Sequence, residues 1–561
     1  MADGLAPLVP AIIVGLWGVL CLLAARAGLA PGPARAVPLV GLGLALAAAG
    51  LEFSAVGLLG SLVADGALAV DRLAALFDAL VVVVLAAAVL ADPQPGGDPR
   101  GPWARGMLLV AGAGAMIAAR AGDFATLLVG IELATLATGL CLSASRDDAS
   151  EPGERAGRQA ARDWLLGQGT GAGILWLGVG LVVAATGTTR LHELGGRVGS
   201  VFLRWGASTA QAAVDLLKGP EALPAGLVAH ARDAAVEGMA AAALLIPGVL
   251  LVLAGLLARA GALPLLAGRV AVAARAGLSG FVAAELVVRT AAVAALIRVF
   301  VAVLHAPRVV YGPYGWGTAA TVIGGVSTLA CALAATRASE LRRLLAWTGA
   351  AQAGMAVLAI AAAANFVAHA GLRSGGVQLE EHYAWGHASG EAAVAAALAG
   401  LVVYALGAVG VLAAAAAVHT GRGLVDVAGL GRRSPLLAAA LVVCVLALIG
   451  APPTAGFPAR WMWMTAVLED SNVLVRAMLA TAGLGAAVLA WAWLRVLLAA
   501  FGPGEGARPG ARATGVTVAL AAMLLGSGLF GQGLWSMVEE AAAGVAFRPG
   551  GKGRFEWLER R

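Results

Sequence analysis

Phe124-Ala-Thr-Leu-Leu-Val-Gly-Ile-Glu-Leu-Ala-Thr-Leu-Ala-Thr-Gly-Leu-Cys-Leu142 is an apolar stretch that carries one carboxylate, Glu132, near its centre. A helix needs about 20 residues to cross the hydrocarbon layer of a bilayer. A charged side chain at that depth costs roughly 3 kcal/mol or more, so it seldom occurs without a role in moving ions or protons. Glu132 is therefore a candidate functional residue. The alternative is a purely structural pairing with a neighbouring helix.

The composition of the whole chain agrees with this one stretch. Of its 561 residues, 60% are hydrophobic and 12% are charged, and the mean hydropathy is +0.88. Lipid offers no hydrogen-bond partners, so membrane spans are helices or closed barrels, and runs this long and rich in Ala and Leu favour helices. We predict an all-α polytopic membrane protein with about 14 transmembrane helices. The predicted spans are 8–25, 37–58, 73–91, 104–119, 124–143, 164–186, 240–263, 278–304, 317–335, 343–364, 392–418, 435–467, 472–500 and 513–530.

Charge and cysteine content exclude several other classes of function. The net charge of +6 comes from basic residues spread over the loops, which is typical of a membrane protein and not of a nucleic-acid-binding protein. The four cysteines are isolated, and the chain has no P-loop or dinucleotide fingerprint, so no cofactor is expected on this chain. His369 and His382 lie in a polar stretch, 365–391, whose spacing fits no standard ligand set. This stretch is expected to be a solvated loop, with no metal bound.

The distribution of arginine predicts the orientation of the chain. Alternate loops are rich in arginine, whereas the short loops between them hold about one each. Because cytoplasmic loops carry the excess of positive charge, both termini are predicted to lie on the outer face of the cell inner (plasma) membrane, and the span number is predicted to be even. The interval 187–238, which mixes apolar and charged residues, is expected to form one or two helices on the outer interface.

Two predicted spans contain helix breakers in their apolar centres, Gly261-Ala-Leu-Pro264 and Gly450-Ala-Pro-Pro453. Proline removes a backbone donor and clashes with the preceding turn, so each helix should break there. Broken helices in corresponding places of two halves indicate an inverted-repeat transporter with its ion path at the breaks. We therefore predict two inverted five-helix repeats. The predicted segments are 1–103 (three helices), 104–304 (first half, with the 187–238 insertion), 305–500 (second half, with the 365–391 insertion) and 501–561 (last helix and tail).

Several motifs, taken in order, resemble the antiporter-like membrane subunits of respiratory complex I. They cover about 70–500 and lie outside the two insertions. The motifs are Val129-Gly-Ile-Glu-Leu-Ala-Thr-Leu, Ala161-Arg-Asp-Trp-Leu-Leu-Gly, Gly255-Leu-Leu-Ala-Arg-Ala-Gly-Ala-Leu-Pro264, Glu340-Leu-Arg-Arg-Leu-Leu-Ala-Trp-Thr348, Leu430-Gly-Arg-Arg-Ser-Pro-Leu-Leu and Leu448-Ile-Gly-Ala-Pro-Pro-Thr-Ala-Gly-Phe457.

This resemblance implies a proton-translocating subunit of an NADH:quinone oxidoreductase, an enzyme of which the chain would be one part. Other membrane-arm subunits would be its partners, together with the lipid bilayer and the protons that it moves. NADH, FMN, iron–sulfur clusters and quinone are expected on partner subunits. The alternatives that stay open are a non-pumping structural subunit of the same membrane arm and a subunit of a cation/proton antiporter.

The family pairs a helix-5 glutamate with a helix-7 lysine and extends this pair with charged residues in helices 8 and 12. The matching residues here are Glu132, Arg259, Arg289 and Arg460, and Glu285 lies four residues before Arg289 on the same helix face. All the lysine positions carry arginine, which does not give up its proton, so a lysine-type relay is in question.

Each of these residues also has a simpler interpretation. Arg259 would reach the membrane surface from a span end, Glu285 and Arg289 would form a static ion pair, and Arg460 would lie at the cytoplasmic rim.

Overall fold

The computed structural model describes residues 6–28, 33–56, 61–92, 100–144, 151–202, 225–305, 307–311, 315–373, 379–418, 427–504, 509–543 and 545. Nearly all of this part of the chain is helical. The helices are α1 Val9–Arg26, α2 Pro33–Ala55, α3 Arg72–Ala91, α4 Arg100–Ala119, α5 Phe124–Ala144, α6 Glu151–Thr186, α7 191–202, α8 Ala225–Ala260, α9 Ala267–Arg275, α10 Leu278–Val301, α11 Pro307–Val310, α12 Trp316–Thr336, α13 Leu341–Arg373, α14 Leu379–Ala417, α15 Leu430–Arg433, α16 Pro435–Ile449, α17 Gly456–Leu468, α18 Val473–Phe501, α19 Ala511–Phe530 and α20 Gln532–Ala543.

The predicted all-α membrane fold is confirmed. Within the described ranges, thirteen helices are long and apolar enough to cross a membrane, and the predicted span 435–467 is divided between the shorter helices α16 and α17. A two-stranded antiparallel ribbon, β1 Ser61–Val63 and β2 Leu68–Val70, was not predicted, nor were the short helices α11, α15 and α20. The ribbon joins α2 to α3.

Both predicted helix breaks are present, and they share their backbone geometry. α8 ends at Ala260 and α9 begins at Ala267, while α16 ends at Ile449 and α17 begins at Gly456. Gly261 and Gly450 follow the two helix ends with φ of 78° and 79°, a left-handed conformation that glycine adopts without a steric penalty. Each break therefore ends its first helix in the same way.

The two insertions are more helical than the sequence suggested. The interval 365–391 was expected to be a solvated loop, but α13 continues through it to Arg373 and α14 begins within it at Leu379. In the other insertion, α7 buries Leu191 and Val198, and residues from 225 onward extend α8 instead of forming a separate interfacial helix. Residues 203–224, also predicted to be part of the interfacial helices, lie outside the described residues. Helix length beyond the apolar core was underestimated because polar residues do not prevent a helix from continuing into water.

The core of the bundle lies around α10, which is buried along its whole length. α13 and α14 are buried almost as completely, whereas α1, α2, α6, α18 and α19 bury the smallest share of their residues and are the outer helices. α4 crosses α5 in close contact because Gly114 and Gly130 leave the backbones room to approach. Charged groups carried by α10 are thus held away from lipid.

Candidate functional site

The first pair of candidate residues joins α5 to the last turn of α8. Arg259 donates from Nη2 to Oε1 of Glu132 over 2.7 Å, and its Nη1 contacts the hydroxyl of Thr135. The Arg259 side chain is fully buried, whereas that of Glu132 is 22% exposed. The simpler interpretation, in which Arg259 reaches the membrane surface, does not agree with this burial. Glu132 is the accessible member of the pair and Arg259 is its buried partner.

A second arginine, Arg269 of α9, connects this pair to the centre of the bundle. Its guanidinium donates to the backbone carbonyls of Arg259 and Ala284, and its Nε donates to Oε1 of Glu285 over 2.9 Å. It also lies 5.4 Å from the ring centre of Trp164, a cation–π distance. The predicted spans 240–263 and 278–304 left Arg269 in a loop between them. The structure instead buries Arg269, because the broken helix returns α9 into the bundle.

Glu285 is shared by two arginines. Its Oε2 accepts from Nη2 of Arg289 over 2.5 Å, which confirms the predicted i, i+4 contact, while Oε1 belongs to Arg269. Arg289 also donates to the carbonyl of Ala260 over 2.8 Å and to the hydroxyl of Tyr404 over 3.1 Å. Glu285 lies in a π-helical turn of α10, Val282–Val287, a feature that often marks functional sites in membrane and soluble helices.

These contacts form one continuous array, which we call the central axis: Glu132, Arg259, Arg269, Glu285, Arg289 and Tyr404. Sequence analysis identified four of its members and missed Arg269 and Tyr404. No period or motif distinguishes Tyr404 from an ordinary buried residue of α14.

Arg460 of α17 lies apart from the central axis. Its guanidinium donates to Sδ of Met355 over 2.8 Å and to the carbonyl of Leu448 over 3.3 Å. It lines a small cavity together with Gln352 and Trp463. Arg460 thus caps the end of α16 much as Arg269 caps the end of α8, since helix C-terminal carbonyls lack intrahelical donors and attract cations.

A separate ionic group, which we call the α3 carboxylate cluster, lies near the last turns of α10. It contains Glu52, Asp71, Asp78, Arg120 and Arg298. Arg120 contacts both Glu52 and Asp78, and Arg298 binds Asp71 through two parallel hydrogen bonds of 2.8 and 2.9 Å. Arg120 lies in the turn between the predicted spans 104–119 and 124–143, but its side chain is fully buried. Asp78 lies in an apolar run, the same signal that identified Glu132.

Gly349 of α13 provides a test of the central axis. A methyl group at this position would overlap Nη1 of Arg289 and the Tyr404 hydroxyl. We expect Gly349→Ala to lower stability by about 1–3 kcal/mol, the usual cost of overpacking a core. The measurement is thermal unfolding followed with a thiol-reactive dye, because Cys21, Cys141, Cys331 and Cys444 are all buried in the folded chain. Gly400→Ala is the control, since its added methyl meets open space; an equal loss in both variants would contradict the prediction.

Comparison with known proteins gives a consistent result. Residues 384–489 match the family described as "NADH:quinone oxidoreductase/Mrp antiporter, TM". The chain is 27% identical over 497 residues to NADH-quinone oxidoreductase subunit N of Cereibacter sphaeroides, covering 88% of this chain and 89% of that protein. It is 27% identical to the subunit N of Moorella thermoacetica, covering 75% and 73%.

Two solved structures share the fold. A chain of respiratory complex I from Thermus thermophilus with bound aureothin superimposes with a TM-score of 0.68 at 22% identity, over 94% of this chain and 98% of that chain. A chain of the Mrp complex from Dietzia sp. DQ12-45-1b gives a TM-score of 0.71 at 18% identity, over 98% of both.

The chain shares its fold with chains of respiratory complex I and of the Mrp complex, and its residues 384–489 match the antiporter-type membrane domain. Several of its homologues are named NADH-quinone oxidoreductase subunit N, so the resemblance predicted from the motifs is confirmed.

Proposed function

We propose that this chain is a proton-translocating membrane-arm subunit of a complex-I-type NADH:quinone oxidoreductase. The observation that carries the proposal is the central axis, a continuous buried array of carboxylates and arginines between α5 and α14. The chain would be part of an enzyme without itself carrying the redox chemistry. NADH, FMN, iron–sulfur clusters and quinone would be bound by partner subunits, and other membrane-arm subunits would pack against the outer helices.

The proposed location is the cell inner membrane, with both termini on the outer face. With α16 and α17 counted together as one broken span, the described residues contain an even number of spans, which supports both termini lying on one face. Arginine-rich loops between alternate spans would then face the cytoplasm.

The proposed inverted repeats relate 104–304 to 305–500. Equivalent backbone hydrogen bonds at the two helix breaks support the repeats. The N–H of Ala262 donates to the carbonyl of Leu257, and the N–H of Ala451 donates to the carbonyl of Leu446. Each bond closes a helix C-terminus one residue after a left-handed glycine. Helix pairing agrees, because α4 packs on α5 as α12 packs on α13. The two halves would therefore provide two broken helices at similar depths.

Arginine does not lose its proton in proteins, so the proton in this proposal is held by Glu132, Glu285 or ordered water. The arginines act through charge. Arg259 donates a hydrogen bond to Glu132, so a displacement of Arg259 towards the centre would take away the positive charge beside this carboxylate. Because Glu132 is partly exposed, it is suited to exchange a proton with the exterior of the bundle, whereas Glu285 is enclosed.

The test compares Glu132→Gln with the wild type in the purified complex, reconstituted into vesicles with quinone. We expect fewer protons moved per NADH oxidised while assembly is retained, since glutamine keeps the shape but cannot titrate. Glu237→Gln is the matched control because the same chemical change is made on an exposed carboxylate of α8. Unchanged pumping in Glu132→Gln would contradict the proposal and favour a structural subunit.

A further inference from the structure

The α3 carboxylate cluster lies outside the central axis, and its charges do not balance. Three carboxylates, Glu52, Asp71 and Asp78, contact two guanidinium groups, those of Arg120 and Arg298. An uncompensated charge in a buried site is strongly unfavourable, and a carboxyl group can remove it by taking up a proton. The cluster therefore has a place for one proton.

The hydrogen bonds indicate which carboxyl group takes it. Asp71 uses both oxygens, which accept from Arg298, and its Oδ1 also caps α3 by accepting from the N–H of Ala74 over 2.8 Å. Both oxygens of Glu52 accept from Arg120.

Asp78 differs, because Oδ2 accepts from Arg120 over 2.5 Å, whereas its buried Oδ1 has no hydrogen-bond partner among the described residues. The whole Asp78 side chain is inaccessible to solvent.

The charged groups that face Asp78 come from two neighbouring helices and a turn. They are Glu52 of α2, Arg298 of α10 and Arg120 in the turn that follows α4. Asp71 lies seven residues earlier on the same face of α3, about 10 Å away along the helix axis. At the start of α3, Arg72 pairs with Glu540 of α20, so that arginine is already compensated.

We propose that Asp78 holds an exchangeable proton and that the α3 carboxylate cluster is the proton-release site at the far end of α10. On release, the O–H bond at Asp78 Oδ1 breaks and one forms on a water molecule or on Glu52, whose side chain is 13% exposed. Arg120, shared by both carboxylates, then stabilises the charge left on Asp78. Arg298 lies in the second π-helical turn of α10, Ile297–Val301. One π-helical turn of this helix therefore carries a residue of the central axis, Glu285, and the other carries a residue of the α3 carboxylate cluster.

The role in release rests on the proposed function, but the presence of the proton does not. Infrared spectroscopy of the purified complex detects the carbonyl stretch of a protonated carboxylic acid, which shifts in heavy water. We expect such a band at neutral pH in the wild type and its loss on raising the pH. It should be missing from Asp78→Asn and present in Asp163→Asn, a control in which the carboxylate is partly exposed and paired with Arg275.

Asp78→Glu keeps a carboxylic acid group and should retain the infrared band at a shifted frequency. This variant replaces Asp78→Asn in the test if the asparagine variant does not assemble. Labelling wild-type aspartate carboxyls with carbon-13 gives a further check, since only an aspartate band would shift. A wild-type spectrum with no band that depends on Asp78 would overturn the proposal.

Proton pumping separates the release role from the site itself. Asp78→Asn should lower the protons moved per NADH, as Glu132→Gln should, while Asp163→Asn should not. A normal yield in Asp78→Asn alongside a lowered yield in Glu132→Gln would overturn the release role and leave the proposed function standing. Normal yields in both, with the infrared band present, would overturn the proposed function and leave the proton on Asp78.

Discussion

Glu285→Gln is expected to destabilise this chain more than any other single change in the central axis. The substitution removes the carboxylate that two buried arginines share, Arg269 at 2.9 Å and Arg289 at 2.5 Å. Breaking a buried ion pair typically costs about 3–5 kcal/mol because the remaining charge is left without a partner. Here two charges lose the same partner. We therefore expect a loss of stability at the upper end of this range, or a protein that fails to accumulate in the membrane. Dye-detected thermal unfolding and the amount of assembled complex measure it.

The control for this prediction removes one of the two cations as well. In Glu285→Gln combined with Arg269→Gln, a single buried arginine loses its carboxylate, so part of the lost stability should return. Full stability of Glu285→Gln alone would mean that the carbonyls of Arg259, Ala260 and Ala284 suffice for both guanidiniums. The interpretation of Glu285 as the electrostatic centre of the axis would then be wrong.

The fold was largely predictable because lipid imposes strong rules on sequence. Apolar runs of bilayer length and two internal Pro-containing breaks were enough to place the helices, including the divided span at Gly450. The helical parts of 365–391 were not predictable from hydropathy. Their residues are polar, and helices that project from a membrane are stabilised by contacts that the sequence pattern does not show.

The site was predictable only in part. Glu132 was identified because a carboxylate within an apolar span has a high free-energy cost. Its partner, Arg259, was identified from the resemblance, since no local sequence pattern shows which helices contact each other. Arg269 was missed because an arginine shortly after a span is normally a loop charge, and only the return of α9 into the bundle buries it. Asp78 could have been found, since it is an acid within an apolar run, as Glu132 is.

Arg298→Met is expected to have the other largest effect on stability, because it breaks the fully buried, two-bond pair with Asp71 and adds to the excess of negative charge in the α3 carboxylate cluster. A loss of about 3–5 kcal/mol is expected for the single variant.

Asp71→Asn removes the charge of the partner but keeps an oxygen that can cap α3 through Ala74, so the double variant should be more stable than Arg298→Met alone. A double-mutant cycle on the dye-detected unfolding transition measures this coupling. Additive losses would mean that the two side chains act independently, and the charge imbalance that places a proton on Asp78 would lose its physical basis.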